Sequence, residues 1–103
     1  DGVVVVAPQG LLDSSTASGF EGELFPLAES GARRLIVDFS EVAYISSAGL
    51  RVLLMAAKKA KAAGVTFALA GMSAGVQQVM DISGFANFFT IYATRTEALA
   101  ALA

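Results

Sequence analysis

Two adjacent serines, Ser46 and Ser47, occupy the position in this chain that is best suited to chemistry. Before them lies a short apolar, β-prone run at residues 35–39, and from Leu50 onward the apolar residues repeat at helical spacing. The sequence therefore predicts a transition from a strand to a helix near the serines. Because a helix N-terminus leaves backbone N–H groups unpaired and carries a partial positive charge, this junction can hold an anion.

The serine pair has a structural and a chemical interpretation. One serine suffices as a helix N-cap, where Ser stabilises a helix by about 1 kcal/mol relative to Ala. The second is followed by Ala48 and Gly49, whose small side chains leave its hydroxyl approachable by a kinase active site. The pair thus predicts one capping residue and one phosphoacceptor, and the residues alone leave the choice between Ser46 and Ser47 open.

Polar residues also follow other predicted strands. Asp13 ends a short second strand, whereas Asp38 and Ser40 lie at the end of the central strand. Since loops that follow parallel strands gather at one edge of a sheet, we expect Asp13 on the same rim as Ser47. Each of these three polar residues can equally serve as a turn or capping group.

The helix predicted over residues 47–63, which stops at Gly64, carries a cationic side. The residues on that side are Arg51, Met55, Lys58 and Lys59. This side is either a solvated face with one exposed methionine or a docking surface for a partner helix, because methionine is adaptable and positive charge steers an acidic partner. A membrane-lying helix is a third interpretation, for which the low aromatic content offers only a thin anchor.

Composition argues against several functional classes. The chain of 103 residues has no Cys and no His, which removes disulfides, thiolate nucleophiles, histidine bases and the usual zinc ligands. No GxxxxGK[ST] phosphate loop is present. A net charge of −2 gives no general attraction to nucleic acid. We expect no catalytic residue, no metal, no cofactor and no direct nucleic-acid partner.

The order of elements predicts a small single-domain α/β fold over residues 1–103. A hydrophobic content of 55% is ample for a compact core, and the apolar runs are too short for membrane insertion. Two short apolar runs around Pro8 and Gly10 predict an opening β-hairpin. Strands then alternate with helices, which predicts a mixed, mostly parallel sheet and about four helices. The predicted strands are 3–7, 11–13, 34–39, 65–70 and 88–92, and the predicted helices are 16–30 with a kink or break near Pro26, 47–63, 73–84 and one from Thr94.

The segment DFSEVAYISSAGLRVLL, residues 38–54, closely resembles the signature of STAS domains, specifically of bacterial anti-sigma factor antagonists. In that pattern a strand ends in D-[LF]-S and a D/S-S-[SA]-G-L turn opens the second helix. The family's phosphorylated serine falls on Ser47, and its glycine and leucine fall on Gly49 and Leu50. The strand-end aspartate falls on Asp38. Many members have Asp where this chain has Ser46.

The resemblance implies a cytoplasmic protein that binds rather than catalyses. Unphosphorylated, it would bind an anti-sigma factor that is also a serine kinase and so free a sigma factor. Phosphorylation of Ser47 would end the binding, and a serine phosphatase would restore it. Gly49 would allow close approach of the partner, and Leu50 would anchor the helix. The partner-binding residues would be Asp13, Ser46, Ala48, Gly49, Leu50, Arg51 and Met55, and the rim would be shaped by Asp38 and Ser40.

Two other functions stay open on the sequence. A non-switching STAS subunit, such as the small component of a lipid-transport ATPase or a signalling scaffold, would have a constitutive partner and no phosphorylation. The serine at position 46 in place of Asp favours that alternative. An enzyme or nucleotide binder is disfavoured by the absent His and Cys and the absent phosphate loop.

Overall fold

The computed structural model describes residues 2–102, which form six strands, four α-helices and one 3-10 helix. The strands are β1 Val3–Val6, β2 Gly10–Leu12, β3 Arg34–Asp38, β4 Val42–Ile45, β5 Thr66–Ala70 and β6 Thr90–Tyr92. The helices are α1 Ala17–Ala28, α2 Ser47–Ala63, α3 Ala74–Ser83 and α4 Arg95–Leu102, with the 3-10 helix Phe85–Phe88 before β6. The small α/β fold with four helices confirms the prediction.

The strands form two sheets. One has four strands in the order β1-β3-β5-β6, and the other pairs β2 with β4. Every strand pairing within residues 2–102 is parallel. The sheets are therefore all-parallel rather than mixed.

The predicted opening β-hairpin is wrong. Strand β1 pairs with β3, and β2 pairs with β4, so the first two strands do not pair with each other. The reason lies in the valine run: Val4 and Val6 pack against one hydrophobic cluster, and Val3 and Val5 pack against another. A strand with apolar contacts on both faces suits a parallel sheet covered by helices on both sides. Strand β2 buries only Leu12 and offers no such partner.

The main core lies between one face of the four-stranded sheet and helices α1 to α3, and a smaller cluster lies under α4. Large fully buried side chains of the main core include Leu24, Leu53 and Met80. The smaller cluster contains Ile36 and Ala98. Leu35 and Val37 of β3 belong to the main core and Ile36 belongs to the smaller cluster, because helices cover both faces of the parallel sheet at this central strand.

Helix α2 has the predicted boundaries. Gly64 ends it in the left-handed region, at φ 76°, where glycine has no steric penalty. Leu50 and Leu53 are buried, whereas Leu54 and Ala57 are only half-buried. One side of the helix is therefore left incompletely covered. No helix within residues 2–102 combines the length and apolarity needed to cross a membrane.

Two local expectations need correction. Helix α1 continues through Pro26 without a break and ends at Ala28, two residues before the predicted bound. Strand β6 begins at Thr90 rather than at residue 88, because the preceding residues form the 3-10 helix. In α4 the buried residue is Ala98, whereas Leu99 is 37% exposed.

Candidate functional site

The site is built on residues 46–49, called here the serine loop. Ser46 joins β4 to α2, and the other three residues begin the first turn of α2. The Ser46 N–H donates to the carbonyl oxygen of Leu12 at the end of β2, at 2.8 Å. A Cβ added at Gly49 would lie 2.7 Å from that same oxygen and 2.8 Å from Ile45 Cγ1. Only glycine fits there without displacement of the backbone. The loop is thereby fixed against the end of the two-stranded sheet.

The two serines differ in accessibility. Ser47 is exposed, whereas the hydroxyl oxygen of Ser46 is buried and has no hydrogen-bond partner among residues 2–102. Ser46 is the N-cap residue by backbone geometry, and its carbonyl accepts the Leu50 N–H at 2.9 Å. Its side chain makes no capping hydrogen bond. Of the two serines that the sequence left open as capping residues, Ser46 thus occupies the N-cap position, but its hydroxyl does not cap the helix.

The first turn of α2 presents free donors. In the described part of the chain, the N–H groups of Ser47, Ala48 and Gly49 donate to no backbone or side-chain acceptor. Helix amides of this kind carry partial positive charge and bind anions. The exposed Ser47 hydroxyl lies at the start of this turn.

A groove of about 290 Å³ separates the first turns of α1 and α2. Its lining consists of Ser14, Ala17, Ser18, Glu21, Ala48, Arg51 and Val52. Glu21 and Arg51 bring opposite charges to the two walls. The groove leaves open space beside the serine loop on the side of α1.

Asp13 lies at the same end of the two-stranded sheet as the serine loop, since it directly follows Leu12. Its Oδ1 accepts hydrogen bonds from the Ser15 hydroxyl at 2.7 Å and the Ser15 N–H at 2.9 Å. These bonds, with weaker ones from Thr16, lower the pKa of Asp13 below its ordinary value. Asp13 thus organises the turn into α1 and adds a fixed negative charge near the loop.

Asp38 and Ser40 form a different cluster, at the end of β3 in the four-stranded sheet. Asp38 is buried, its Oδ1 accepts the Ser40 N–H at 2.9 Å, and its Oδ2 accepts Arg95 Nε at 2.7 Å. Burial raises the pKa of Asp38, but these hydrogen bonds outweigh it and lower the pKa below the ordinary 3.8. No hydrogen bond within residues 2–102 joins this pair to the serine loop.

The sequence analysis missed two exposed apolar side chains beside the loop. Leu11 and Tyr44 lie opposite each other in the β2–β4 pairing and are 50% and 49% exposed. The β-prone residues VAYI immediately before the serines are the signal that identifies β4. Farther along α2, Arg51 and Met55 are exposed as predicted, Met55 to 42%. Residues 2–102 hold no cluster of three or more potential metal ligands.

Comparison with known proteins gives consistent matches over nearly the whole chain. A family model described as the STAS domain matches residues 1–98. BtrV of Bordetella bronchiseptica, a candidate anti-sigma factor antagonist, is 37% identical over 101 residues, covering 98% of this chain and 87% of that protein.

Two solved structures match the fold closely. The crystal structure of a candidate anti-sigma factor antagonist from Thermotoga maritima has a TM-score of 0.90 and 26% identity, covering 99% of this chain and 88% of that one. An anti-sigma factor antagonist from Mycobacterium paratuberculosis has a TM-score of 0.90 and 26% identity, covering 99% and 86%.

Proposed function

Because this chain belongs to the STAS domain family and to its anti-sigma factor antagonists, we propose that it binds an anti-sigma factor with serine kinase activity and is released by phosphorylation of Ser47. Proteins of this family group are regulators rather than enzymes, in agreement with the expectation from composition. In this proposal the protein acts in the cytoplasm, where it is both a binding partner and a substrate of the kinase. A serine phosphatase resets it.

The observation that carries this proposal is the contrast between the two serines. Ser47 exposes its side chain at the start of α2, whereas the Ser46 hydroxyl is buried. A kinase needs in-line access to the attacking oxygen. Access therefore favours Ser47 as the acceptor and disfavours Ser46, the choice that the sequence left open.

The first turn of α2 supplies a means of holding the product. A phosphoryl group adds a charge of about −1.5 to −2 and three acceptor oxygens. The free N–H groups of Ala48 and Gly49 and the dipole of α2 favour that charge, so the fold has no reason to change.

The switch acts on the interface, where the new charge must be desolvated or repelled on docking. A penalty of about 3 kcal/mol reduces affinity more than a hundredfold. This local electrostatic effect separates the phosphorylated and unphosphorylated forms without refolding.

The surface around the serine loop suits a protein partner. Leu11 and Tyr44 offer an exposed apolar pair on one side, and Arg51 and Met55 extend along α2 on the other. Aromatic, arginine and methionine side chains are enriched at protein interfaces. We expect an acidic partner surface opposite Arg51.

The test is phosphorylation by the candidate anti-sigma kinase with ATP, followed by intact and peptide mass spectrometry. We expect one phosphoryl group on the native protein and on Ser46→Ala, and none on Ser47→Ala. Ser18→Ala, an exposed serine across the groove, is the matched control and should be modified normally. Binding to the kinase should fall at least about a hundredfold on modification.

The outcome also decides between the switch and the constitutive alternative. Phosphorylation at Ser46, or on Ser47 without loss of binding, contradicts the proposal. Tight binding that is independent of ATP and leaves every serine unmodified favours a non-switching subunit, the function that the missing Asp at position 46 suggests. Tyr44→Ser should weaken binding in either case, because both alternatives keep a docking surface beside the loop.

A further inference from the structure

The C-terminal half of α2 borders a groove that the proposed switch does not use. Two adjoining cavities, of about 410 and 330 Å³, share Ala57, Lys61 and Phe88. We call the pair the α2 groove. Leu54 and Lys58 complete the first cavity. The lining of the second includes Phe67 of β5, Asn87 of the 3-10 helix and Thr90 of β6. Each volume lies within the range of small-molecule pockets in proteins.

One end of the α2 groove is apolar. Leu54 and Ala57 are half-buried on α2, and the Phe88 side chain is 64% exposed on the 3-10 helix. Phe88 is held in an edge-to-face contact with Phe85, with ring centroids 6.2 Å apart. Its exposed ring therefore has a supported position rather than a free one. Covering such apolar surface removes it from water and favours binding.

The groove also carries an uncompensated positive charge. Lys58 and Lys61 have no acidic partner within residues 2–102, and no acidic residue lines either cavity. Their neighbour Lys59 is different: it pairs with Glu29 at 3.6 Å and lies 5.0 Å from the centre of the Phe25 ring. The groove near the serine loop also differs, because an acidic residue, Glu21, lines it together with Arg51.

The polar lining residues are spread over both cavities, and Lys58 lines only the first. Lys61 is shared by both cavities, and Asn87 and Thr90 line only the second. A ligand in the α2 groove would thus meet apolar side chains in both cavities, the two lysines along α2, and amide and hydroxyl groups in the second cavity. We propose that the α2 groove binds an amphipathic anion, a carboxylate with an unbranched alkyl chain. The chain lies between Leu54 and Phe88, and the carboxylate lies near Lys61.

This site is separate from the phosphoacceptor. Lys61 is 14 residues beyond Ser47 on the same helix, which corresponds to about 20 Å of helix length. The inference stands on the lining of the groove and does not depend on the proposed switch. Its ligand could be bound by the phosphorylated and the unphosphorylated protein alike.

The test is a titration of the isotope-labelled protein with sodium decanoate, monitored by amide chemical shifts. We expect saturable shifts confined to α2 from Leu54 onward, to residues 65–67 and to residues 85–90. Decanol should bind about three- to tenfold more weakly, because it lacks the charge that Lys61 attracts. The Phe88→Ser variant should bind at least about tenfold more weakly because it loses the apolar wall.

Two lysine variants provide the matched comparison. Lys61→Gln should weaken decanoate binding about threefold or more, whereas Lys59→Gln, whose charge is already paired, should change it less than about twofold. Shifts spread over the whole surface without saturation overturn the proposal. So does equal binding of decanoate and decanol, unchanged affinity in Phe88→Ser, or binding of an acidic peptide in place of decanoate.

Discussion

The two sheets of this protein end differently, although both end in an aspartate that accepts local hydrogen bonds. At the end of the four-stranded sheet, the polar group is paired within the chain: Asp38 is buried, and its carboxylate binds Arg95 from α4. The two-stranded sheet ends in the serine loop, where Ser47 is exposed and the first N–H groups of α2 have no acceptor among residues 2–102. One end satisfies its polar groups within the chain, and the other leaves them available to a partner.

The difference follows from how much of each sheet is covered. The four-stranded sheet has hydrophobic clusters on both faces, so a polar group at its end must be paired to be buried. The two-stranded sheet buries Leu12, Val42 and Ile45 but exposes Leu11 and Tyr44. A sheet with one open face can place an interaction surface next to Ser47, the proposed phosphoacceptor.

The largest effect on stability should come from adding a side chain at Gly49, where the serine loop contacts the end of β2. Gly49→Ala places a methyl group against the Leu12 carbonyl oxygen, at a separation of 2.7 Å before relaxation, and should lower the free energy of unfolding by about 2–3 kcal/mol. Urea unfolding followed by circular dichroism measures it. The control is Gly22→Ala in α1, where the added Cβ meets nothing and should stabilise by about 0.5–1 kcal/mol. Equal changes in the two variants would show that the loop is not tightly packed.

Disrupting the Asp38–Arg95 pair at the end of the four-stranded sheet should lower the free energy of unfolding by less. Asp38→Asn keeps the side-chain shape but removes the charge that Arg95 contacts, and we expect a loss of about 1.5 kcal/mol because Arg95 is 46% exposed. A double-mutant cycle with Arg95→Gln measures the coupling between the two side chains. Kinase binding should stay unchanged in both variants. A loss of kinase binding without a loss of stability would indicate that Asp38 belongs to the functional site, as the family pattern suggests.

Acid should remove the same contribution reversibly. The pKa of Asp38 is lower in the folded protein than the ordinary 3.8, so its stabilisation is present above that value and is lost as pH falls through the folded pKa. The stability difference between the native protein and Asp38→Asn should therefore shrink from about pH 6 to about pH 2. Urea midpoints at several pH values test this. A difference that stays constant over that range would contradict it. Asp13, whose pKa is also lowered, adds to the acid sensitivity of both proteins.

The smallest effect concerns the two N-caps. Ser73 accepts the Val76 N–H at 3.2 Å, so Ser73→Ala should cost about 1 kcal/mol. Ser46→Ala should cost less than about 0.5 kcal/mol or stabilise slightly, because it removes a buried hydroxyl that makes no hydrogen bond. Thermal and urea unfolding of the two variants decide the point. A cost for Ser46→Ala that matches Ser73→Ala would indicate that Ser46 caps α2 after all.

The sequence predicted the parts of the molecule that local patterns determine. Helix α2 has a regular apolar repeat, a serine at its start and Gly64 at its end, so its boundaries were readable. The pairing of Asp38 with Arg95 spans 57 positions and has no local pattern. The hairpin failed for the same reason, since adjacent strands favour pairing unless each finds a better partner farther along the chain. The α2 groove was missed because Phe88 was assigned to a strand instead of to the 3-10 helix.

The pairing of β2 with β4 also governs when the serine loop exists during folding. These strands are roughly 30 residues apart along the chain, so their pairing closes a long loop. The conformational entropy of that loop is lost before the favourable contacts between the strands form. Proteins rich in such contacts fold slowly relative to helical bundles. A nascent or unfolded chain carries both serines but lacks the Leu12 support that sets their exposure. Recognition of the folded loop would thus limit modification to molecules that have completed folding.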